Sequence, residues 1–152
     1  MNLFHVCDKL SKKGELGELN NDVHKKVNNF FKALNNLKEI VGKEPPFDPI
    51  TEAGMVSLFE ICFEQSWKAM KERLEYHGYG ERKLGSPNAI IKMAYQAGMV
   101  DSEELWHDAL KASNNVGHSY SDEVALEIIK MAQERFLPMF EDLRRNIEEN
   151  WL

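Results

Sequence analysis

The sequence has very little cysteine and no long apolar run, and each shortage excludes a class of protein. Two cysteines, Cys7 and Cys62, among 152 residues cannot form a disulfide framework. No segment approaches the roughly 20 consecutive apolar residues that cross a membrane. The N-terminus lacks the apolar stretch and the small-residue cleavage site of a signal peptide. We therefore expect a cytoplasmic protein that does not associate with membranes.

Positive charge is also scarce. The chain has 19 lysines and arginines against 25 aspartates and glutamates, for a net charge of −6. The overall field of an acidic chain does not steer it to a phosphate backbone. General nucleic-acid binding is therefore disfavoured, although a local basic site stays open.

Motifs for metals, nucleotides and nucleophiles are missing as well. The histidines are scattered, with no His-Glu-x-x-His pair, and no Cys-x-x-Cys occurs. The sequence has no Walker-type loop, no Gly-x-Gly-x-x-Gly before a helix, and no serine elbow. We predict neither a metal nor a cofactor. The five histidines are His5, His24, His77, His107 and His118.

Helical periodicity is what the sequence does contain. Apolar residues spaced by three and four predict an amphipathic helix from about residue 20 to Gly42. A second helix, capped by Thr51 and ending near His77-Gly78, is apolar on so wide a face that we expect more than one neighbour. The residues predicted to face inward in the first helix are Leu19, Val23, Val27, Phe30, Leu34, Leu37 and Val41.

Two short helices and one long helix complete the predicted fold. Ser86-Pro87 starts the first short helix, whose apolar residues include Ile90 and Tyr95, and a capping box of Asp101 and Glu104 starts the second. Ser121 caps the last helix, which Pro138 should kink or break. No period-2 strand is present. We predict an all-α, antiparallel up-and-down bundle of about five helices over residues 19–152, preceded by a flexible arm at 1–18.

Two places could carry chemistry. The first is KASNNVGHSYSDE, residues 111–123, where Asn114, His118 and Tyr120 are polar groups between helices, and histidine suits proton transfer near neutral pH. A spacing of four puts Asn114 and His118 on one face if the helix runs on. The alternative is a connection whose histidine only binds carbonyl groups. The second place is Glu60 and Glu64, a polar helix edge unless burial raises their pKa.

Three segments in order resemble the nucleotidyltransferase substrate-binding proteins. FEICFEQSWKAMKERLEYHG, residues 59–78, is similar to that family's Phe-Glu-x-x-Phe-Glu-x-x-Trp-Lys signature. SPNAIIKMAYQAGMVDSEELWHDALKASNNVGHSY, residues 86–120, resembles its next segment, which ends in Asn-x-x-x-His-x-Tyr. FLPMFEDL, residues 136–143, resembles its closing segment.

The resemblance implies a helical bundle of the HEPN type, usually a homodimer. It also implies a separate small nucleotidyltransferase as partner, which is typically encoded next to it. Relatives in the wider HEPN group are metal-independent ribonuclease toxins neutralised by the nucleotidyltransferase as antitoxin. Their signature is Arg, four to six residues, and then His, often followed by x-Tyr. In some of these systems the partner adenylylates that tyrosine, which corresponds to Tyr120 here.

This sequence retains only the second half of that signature. His118 and Tyr120 match, but Ser113 occupies the arginine position. Ribonucleolytic attack by a 2′-OH needs a permanently charged donor on the phosphorane oxygens, which a serine hydroxyl does not supply. Arg73 and Arg82 are the candidate substitutes. We therefore predict a non-catalytic binding subunit with Ser113, Asn114, His118 and Tyr120 at its binding site for a nucleotide or RNA group. The alternative is a ribonuclease toxin with His118 as its catalytic residue.

Overall fold

Helices make up most of the chain that the computed structural model describes, namely residues 21–80, 84–118 and 121–152. The arm expected at residues 1–18 lies outside the described residues, as do Arg82 and Tyr120. No strand occurs in the described ranges. The prediction of an all-α helical bundle is confirmed.

The helices follow one another with short connections. A 3₁₀ turn, Lys38–Ile40, extends α1, and a second one, Val116–His118, follows α4. Single π-helical turns, Ala132–Phe136 and Ile147–Trp151, continue α5 and α6, so that one long helical segment runs to the end of the described chain. The α-helices are α1 Asn21–Leu37, α2 Pro49–Tyr76, α3 Pro87–Gln96, α4 Glu103–Asn115, α5 Asp122–Met131 and α6 Leu137–Asn146.

The predicted boundaries of α3 and α5 are confirmed by their hydrogen bonds. The Ser86 hydroxyl accepts from the amide of Ala89 at 3.2 Å, and the Ser121 hydroxyl accepts from the amide of Val124 at 3.2 Å. Each bond satisfies an amide that the first helical turn leaves without a backbone acceptor. At Gly98 the chain leaves α3 with φ of +82°, a conformation that side chains with a Cβ rarely adopt.

Two predicted caps were wrong by a few residues. Asp48, not Thr51, caps α2, because its carboxylate accepts from the Thr51 amide at 2.9 Å while Pro49 takes the first helical position. Ser102, not Asp101, caps α4, and its hydroxyl accepts from the amide three residues on at 3.1 Å. In both cases a neighbouring polar residue makes the bond that defines the cap.

Pro138 was expected to kink or break the last helix, and it lies directly after an interruption of the regular α-helix, although the helical segment continues. The proline ring would collide with the carbonyl group four residues earlier in a regular α-helix. The turn Ala132–Phe136 is instead wound as a π-helix, and α6 starts at Leu137 with Pro138 in its first turn. The Leu137 amide bonds to the carbonyl group of Ala132, five residues earlier, so the wider π-helical turn changes the hydrogen-bond spacing just before the proline.

The chain alternates in direction around one apolar core through α1, α2, the α3–α4 pair and the last helical segment. Val23, at the start of α1, bonds to Arg73 near the end of α2, so these helices are antiparallel. Glu52 lies beside Asp122, and Arg73 binds the carbonyl of Trp151. The last helical segment therefore runs in the same direction as α2, because α3 and α4 return the chain between them.

Most predicted inward residues are buried, including Cys62 on α2. Aromatic rings fill the centre, where Phe59 stacks on Phe136 with centroids 5.3 Å apart. Val41 and Tyr95 were expected inside but are 63% and 46% exposed. Regular helix ends at Leu37, so the spacing that would have turned Val41 inward does not continue.

Candidate functional site

The segment predicted to carry the site begins at the end of α4. Ser113 is half-buried and Asn114 is exposed in its last turn. The α-helix ends at Asn115, and Val116–His118 forms a 3₁₀ turn. Residues four apart do not share a face in the tighter turn, so the α-helical argument for bringing Asn114 and His118 together does not hold. The His118 side chain lies outside the described residues, and its approach to Asn114 remains a prediction.

A groove of about 250 Å³ lies between α2 and α5 beside this segment. Its buried floor includes Val56 and Ile128, and α2 contributes the carboxylates of Glu52 and Glu60 to its lining. Val116 and Ser121, which flank the predicted site in sequence, form part of its wall. We call it the α2–α5 groove, and it is lined by Pro49, Glu52, Ala53, Val56, Ser57, Glu60, Val116, Ser121, Val124, Ala125 and Ile128.

A second depression of about 240 Å³ lies between α4 and α5. It shares Val124 and Ile128 with the first groove, so the two are separated by one helix. Its polar residues are again mainly acidic. It is lined by Ala112, Asn115, Glu123, Val124, Glu127, Ile128 and Met131.

Glutamates in the α2–α5 groove lie close to other carboxylates. Burial raises the pKa of Glu52, and the nearby charge and hydrogen bond of Asp122 raise it further. Burial also raises the pKa of Glu60, with a contribution from the charge of Glu64. Sequence reasoning singled out Glu60 and Glu64 but missed Glu52 and Asp122. In the sequence, Glu52 and Asp122 are distinguished only by their positions in the first turns of two different helices. Those positions do not reveal that the two helices start side by side.

No lysine or arginine lines either groove in the described part of the chain. Glu52, Glu60, Glu123 and Glu127 supply the charge at these surfaces. Negative charge concentrated in a cleft repels anions and attracts cations. These two grooves therefore suit a positively charged group better than a phosphate.

Arg73 cannot replace the missing arginine of the site. It is 1% exposed and donates hydrogen bonds to the carbonyl groups of Val23, Trp151 and Leu152. It lies thirteen residues beyond Glu60 on α2, a rise of about 20 Å along the helix. Its guanidinium therefore joins the opposite end of the bundle, and the proposed substitution is wrong for this residue.

The signature residues on α2 divide between the core and the surface. Phe59 and Phe63 are buried, and Trp67 is half-buried against the core. Lys68 extends outward and bonds to Glu64 at 2.7 Å. The aromatic part of the signature thus serves packing, as sequence reasoning expected for Trp67.

The described residues contain neither a metal-ligand cluster nor a membrane-spanning helix. No group of three or more histidine, cysteine, aspartate or glutamate side chains is arranged to hold a metal ion in the described ranges. None of the helices there is long and apolar enough to cross a membrane.

The fold is similar to a known crystal structure. A protein from Thermus thermophilus superposes with a TM-score of 0.63 at 24% sequence identity, covering 80% of this chain and 98% of the other. At that identity the likeness concerns the fold, which is the helical bundle described above. A search of curated proteins gives no match.

The sequence itself places the chain in a family. Residues 25–149 match the family described as nucleotidyltransferase substrate binding protein like. The match includes the bundle from early in α1 to the last π-helical turn and thus spans most of the chain. The chain belongs to this family.

Proposed function

We propose that the chain is a non-catalytic binding and regulatory subunit that pairs with a separate small nucleotidyltransferase in the cytoplasm. The observation that carries the proposal is the family match over residues 25–149. The description of the family names substrate binding in connection with a nucleotidyltransferase, and the sequence contains no nucleotide-binding loop of the Walker type. A homodimer of this chain is part of the proposal, by resemblance to the same family.

The ligand site in this proposal is formed by Ser113, Asn114, His118 and Tyr120, and its ligand is a nucleotide or RNA group. The grooves beside it are acidic. A phosphate at this site therefore needs a cation from elsewhere, and the partner enzyme is the natural source. On this proposal, the isolated subunit binds nucleotide weakly and the complex binds it better.

The test is co-expression of the chain with the nucleotidyltransferase encoded beside it, with an affinity tag on the enzyme only. Co-purification through size-exclusion chromatography at a fixed stoichiometry is the expected result. If the two proteins elute separately at micromolar concentrations, the proposal is wrong.

A metal-independent ribonuclease is the second candidate, and the retained His118 favours it. Two observations weigh against it: Ser113 replaces the signature arginine, and Arg73 is committed to carbonyl groups at the far end of α2. Loss of such a donor costs about 3–4 kcal/mol of transition-state stabilisation, or at least a hundredfold in rate.

The nuclease hypothesis has a direct test. The purified chain and its His118→Ala variant are incubated with a mixed RNA pool in the presence of EDTA. We expect no cleavage by either protein. Cleavage by the parent and none by the variant would establish the nuclease instead.

A further inference from the structure

We propose that the N-terminal half of α2, together with the α2–α5 groove, is the surface on which the nucleotidyltransferase docks, through a segment that presents lysine or arginine beside apolar side chains. This inference rests on the proposed function and adds the interface and its chemistry. We define the docking face as the residues of the α2–α5 groove together with Ile50, Gly54 and Ile61.

The docking face is apolar where nothing in the described chain covers it. Ile50 is 85% exposed and Ile61 is 50% exposed. Gly54 lies between them at helical spacing, and the space where its Cβ would stand has no atom within 4 Å. These residues form one stripe on α2 next to the groove. Met55, Val56 and Phe59 on the other side of this half of α2 are buried, whereas the described chain leaves the stripe of Ile50 and Ile61 exposed.

The negative charge of the α2–α5 groove indicates which kind of segment could cover the docking face. Glu52 and Glu60 line the groove, and Asp122 lies next to Glu52 at its rim. No basic residue of the described chain lines the groove to balance them. A docking segment with lysine or arginine would pair with these carboxylates while its apolar side chains cover the floor and Ile61. Interfaces that combine an apolar centre with complementary charge gain both affinity and specificity.

The position of the face agrees with the proposed function. Val116 and Ser121 belong to the groove wall, and the stretch of sequence between them contains His118 and Tyr120. An enzyme seated on the docking face would therefore lie against the predicted ligand site. The same acidic surface disfavours RNA as the occupant, because phosphates are repelled by it.

Gly54 provides a test that separates docking from folding. Gly54→Arg places a long, positively charged side chain in the open space, where it blocks a docking segment and repels its basic residues. Removal of a glycine from the middle of a helix favours the folded chain, so folding is not expected to suffer. We expect the dissociation constant for the neighbouring-gene nucleotidyltransferase to rise at least about a hundredfold. Gly54→Ala is the control and should bind within about twofold of the wild type.

Charge reversal tests the electrostatic half of the inference. Glu52→Lys with Glu60→Lys should weaken binding at least about tenfold and remove most of its dependence on ionic strength. The matched control is Glu75→Lys with Glu149→Lys, which makes the same change in net charge with two exposed glutamates of the opposite end. It should leave the affinity within about threefold of the wild type.

The outcomes distinguish the inference from the proposed function. If wild type and enzyme form a complex that Gly54→Arg and the double reversal leave intact, the docking face is wrong and the proposed function stands. If no complex forms with the wild type, both fall. If Gly54→Arg converts a dimer to a monomer in sedimentation but does not change the affinity for the enzyme, the face binds a second copy of this chain, and the inference is overturned.

Discussion

The two halves of α2 have opposite surroundings. At its C-terminal end, Arg73 is buried and its two terminal nitrogens donate to the carbonyl groups of Val23, Trp151 and Leu152. At its N-terminal end, Ile50 is exposed and Glu52 lies beside another carboxylate. One end is closed by the chain itself, and the other carries apolar and charged groups that the described chain does not cover.

The comparison teaches how to separate folding residues from interaction residues within one helix. A buried charge is costly unless its hydrogen bonds are made. Both terminal nitrogens of Arg73 donate to carbonyl groups, while its Nε makes no hydrogen bond and lies 3.8 Å from the Glu72 carboxylate. Burial of Glu60 and, to a lesser extent, the nearby charge of Glu64 raise its pKa, so its ionised form makes the folded state less favourable. A feature that does not help the fold is a better candidate for binding.

The largest effect is expected at the closed end. Arg73→Ala leaves three carbonyl groups without their donor and removes the ring contact with Tyr76, whose centroid is 4.5 Å away. We expect a loss of roughly 3–4 kcal/mol in the free energy of unfolding, measured with urea. Arg73→Lys, which retains the charge but not the fork of donors, should lose about half as much. A loss below about 1 kcal/mol for the alanine variant would remove the contrast between the ends.

A smaller loss of stability is expected on substitution of Glu72, which joins the C-terminal half of α2 to α1. His24 interrupts the regular helical conformation of α1 with φ −116° and ψ 22°, so the amides that follow behave as a helix start. The Glu72 carboxylate accepts from the amides of Lys26 at 3.1 Å and Val27 at 3.4 Å. Glu72→Ala should therefore cost about 1–2 kcal/mol, as removal of a helix cap does. Equal stability of the variant and the wild type in urea would show that solvent replaces the carboxylate.

At the open end, a substitution should stabilise the chain. Gly54→Ala lowers the entropy of the unfolded chain, and the added methyl group meets no atom within 4 Å. We expect a gain of about 0.5–1 kcal/mol in the free energy of unfolding. Gly98→Ala is the contrasting variant, because its φ of +82° strains an alanine by about 1–2 kcal/mol. A destabilised Gly54→Ala would mean that α2 is covered there in solution.

The smallest effect concerns pH. Burial and Glu64 raise the pKa of Glu60 above its unfolded value, so the folded state binds the proton more tightly. The contribution of Glu60 to stability therefore increases as pH falls from neutrality through the folded pKa. Glu60→Gln should equal the wild type or exceed it by up to about 0.5 kcal/mol at pH 7, with the difference shrinking towards pH 4.

Asp48, the N-cap of α2, should make the free energy of unfolding depend on pH in the opposite direction. Its hydrogen bonds with the amide and hydroxyl of Thr51 lower its pKa. The stability that the Asp48 carboxylate contributes is thus present above its unfolded pKa and lost as pH falls through the lower folded pKa. Asp48→Asn should therefore reduce the loss of stability at acid pH, measured by urea unfolding at several pH values. If both variants changed the pH dependence in the same direction, the assigned causes would be wrong.

Much of the fold could be predicted because helices carry their pattern locally. The spacing of Val27, Phe30 and Leu34 indicated the buried face of α1, and Ser86 and Ser121 marked two helix starts correctly. Caps at Asp48 and Ser102 were missed by one to three residues, since several polar neighbours compete for the same amides. Pro138 was expected to kink or break the last helix, and the regular α-helix is interrupted just before it by a π-helical turn, a form of interruption that no sequence pattern announced.

The candidate site was less accessible to sequence reasoning. Ser113, Asn114, His118 and Tyr120 were selected from residue type and family resemblance, and their convergence is still a prediction. Arg73 looked available because nothing local opposed it, yet its bonding partners are about fifty to eighty residues away in sequence. The pairing of Glu52 with Asp122 also depends on two helices that start side by side.

The sequence by itself determined the all-α class, most helix positions, much of the core and the family. These properties follow from short-range spacing and from motif order, which a single chain displays directly. Only the tertiary structure decided that α2 has one closed and one open end, that acidic residues line the grooves beside the predicted site segment, and that Arg73 belongs elsewhere. Charges and cavities arise from residues distant in sequence, and packing alone determines which of them meet.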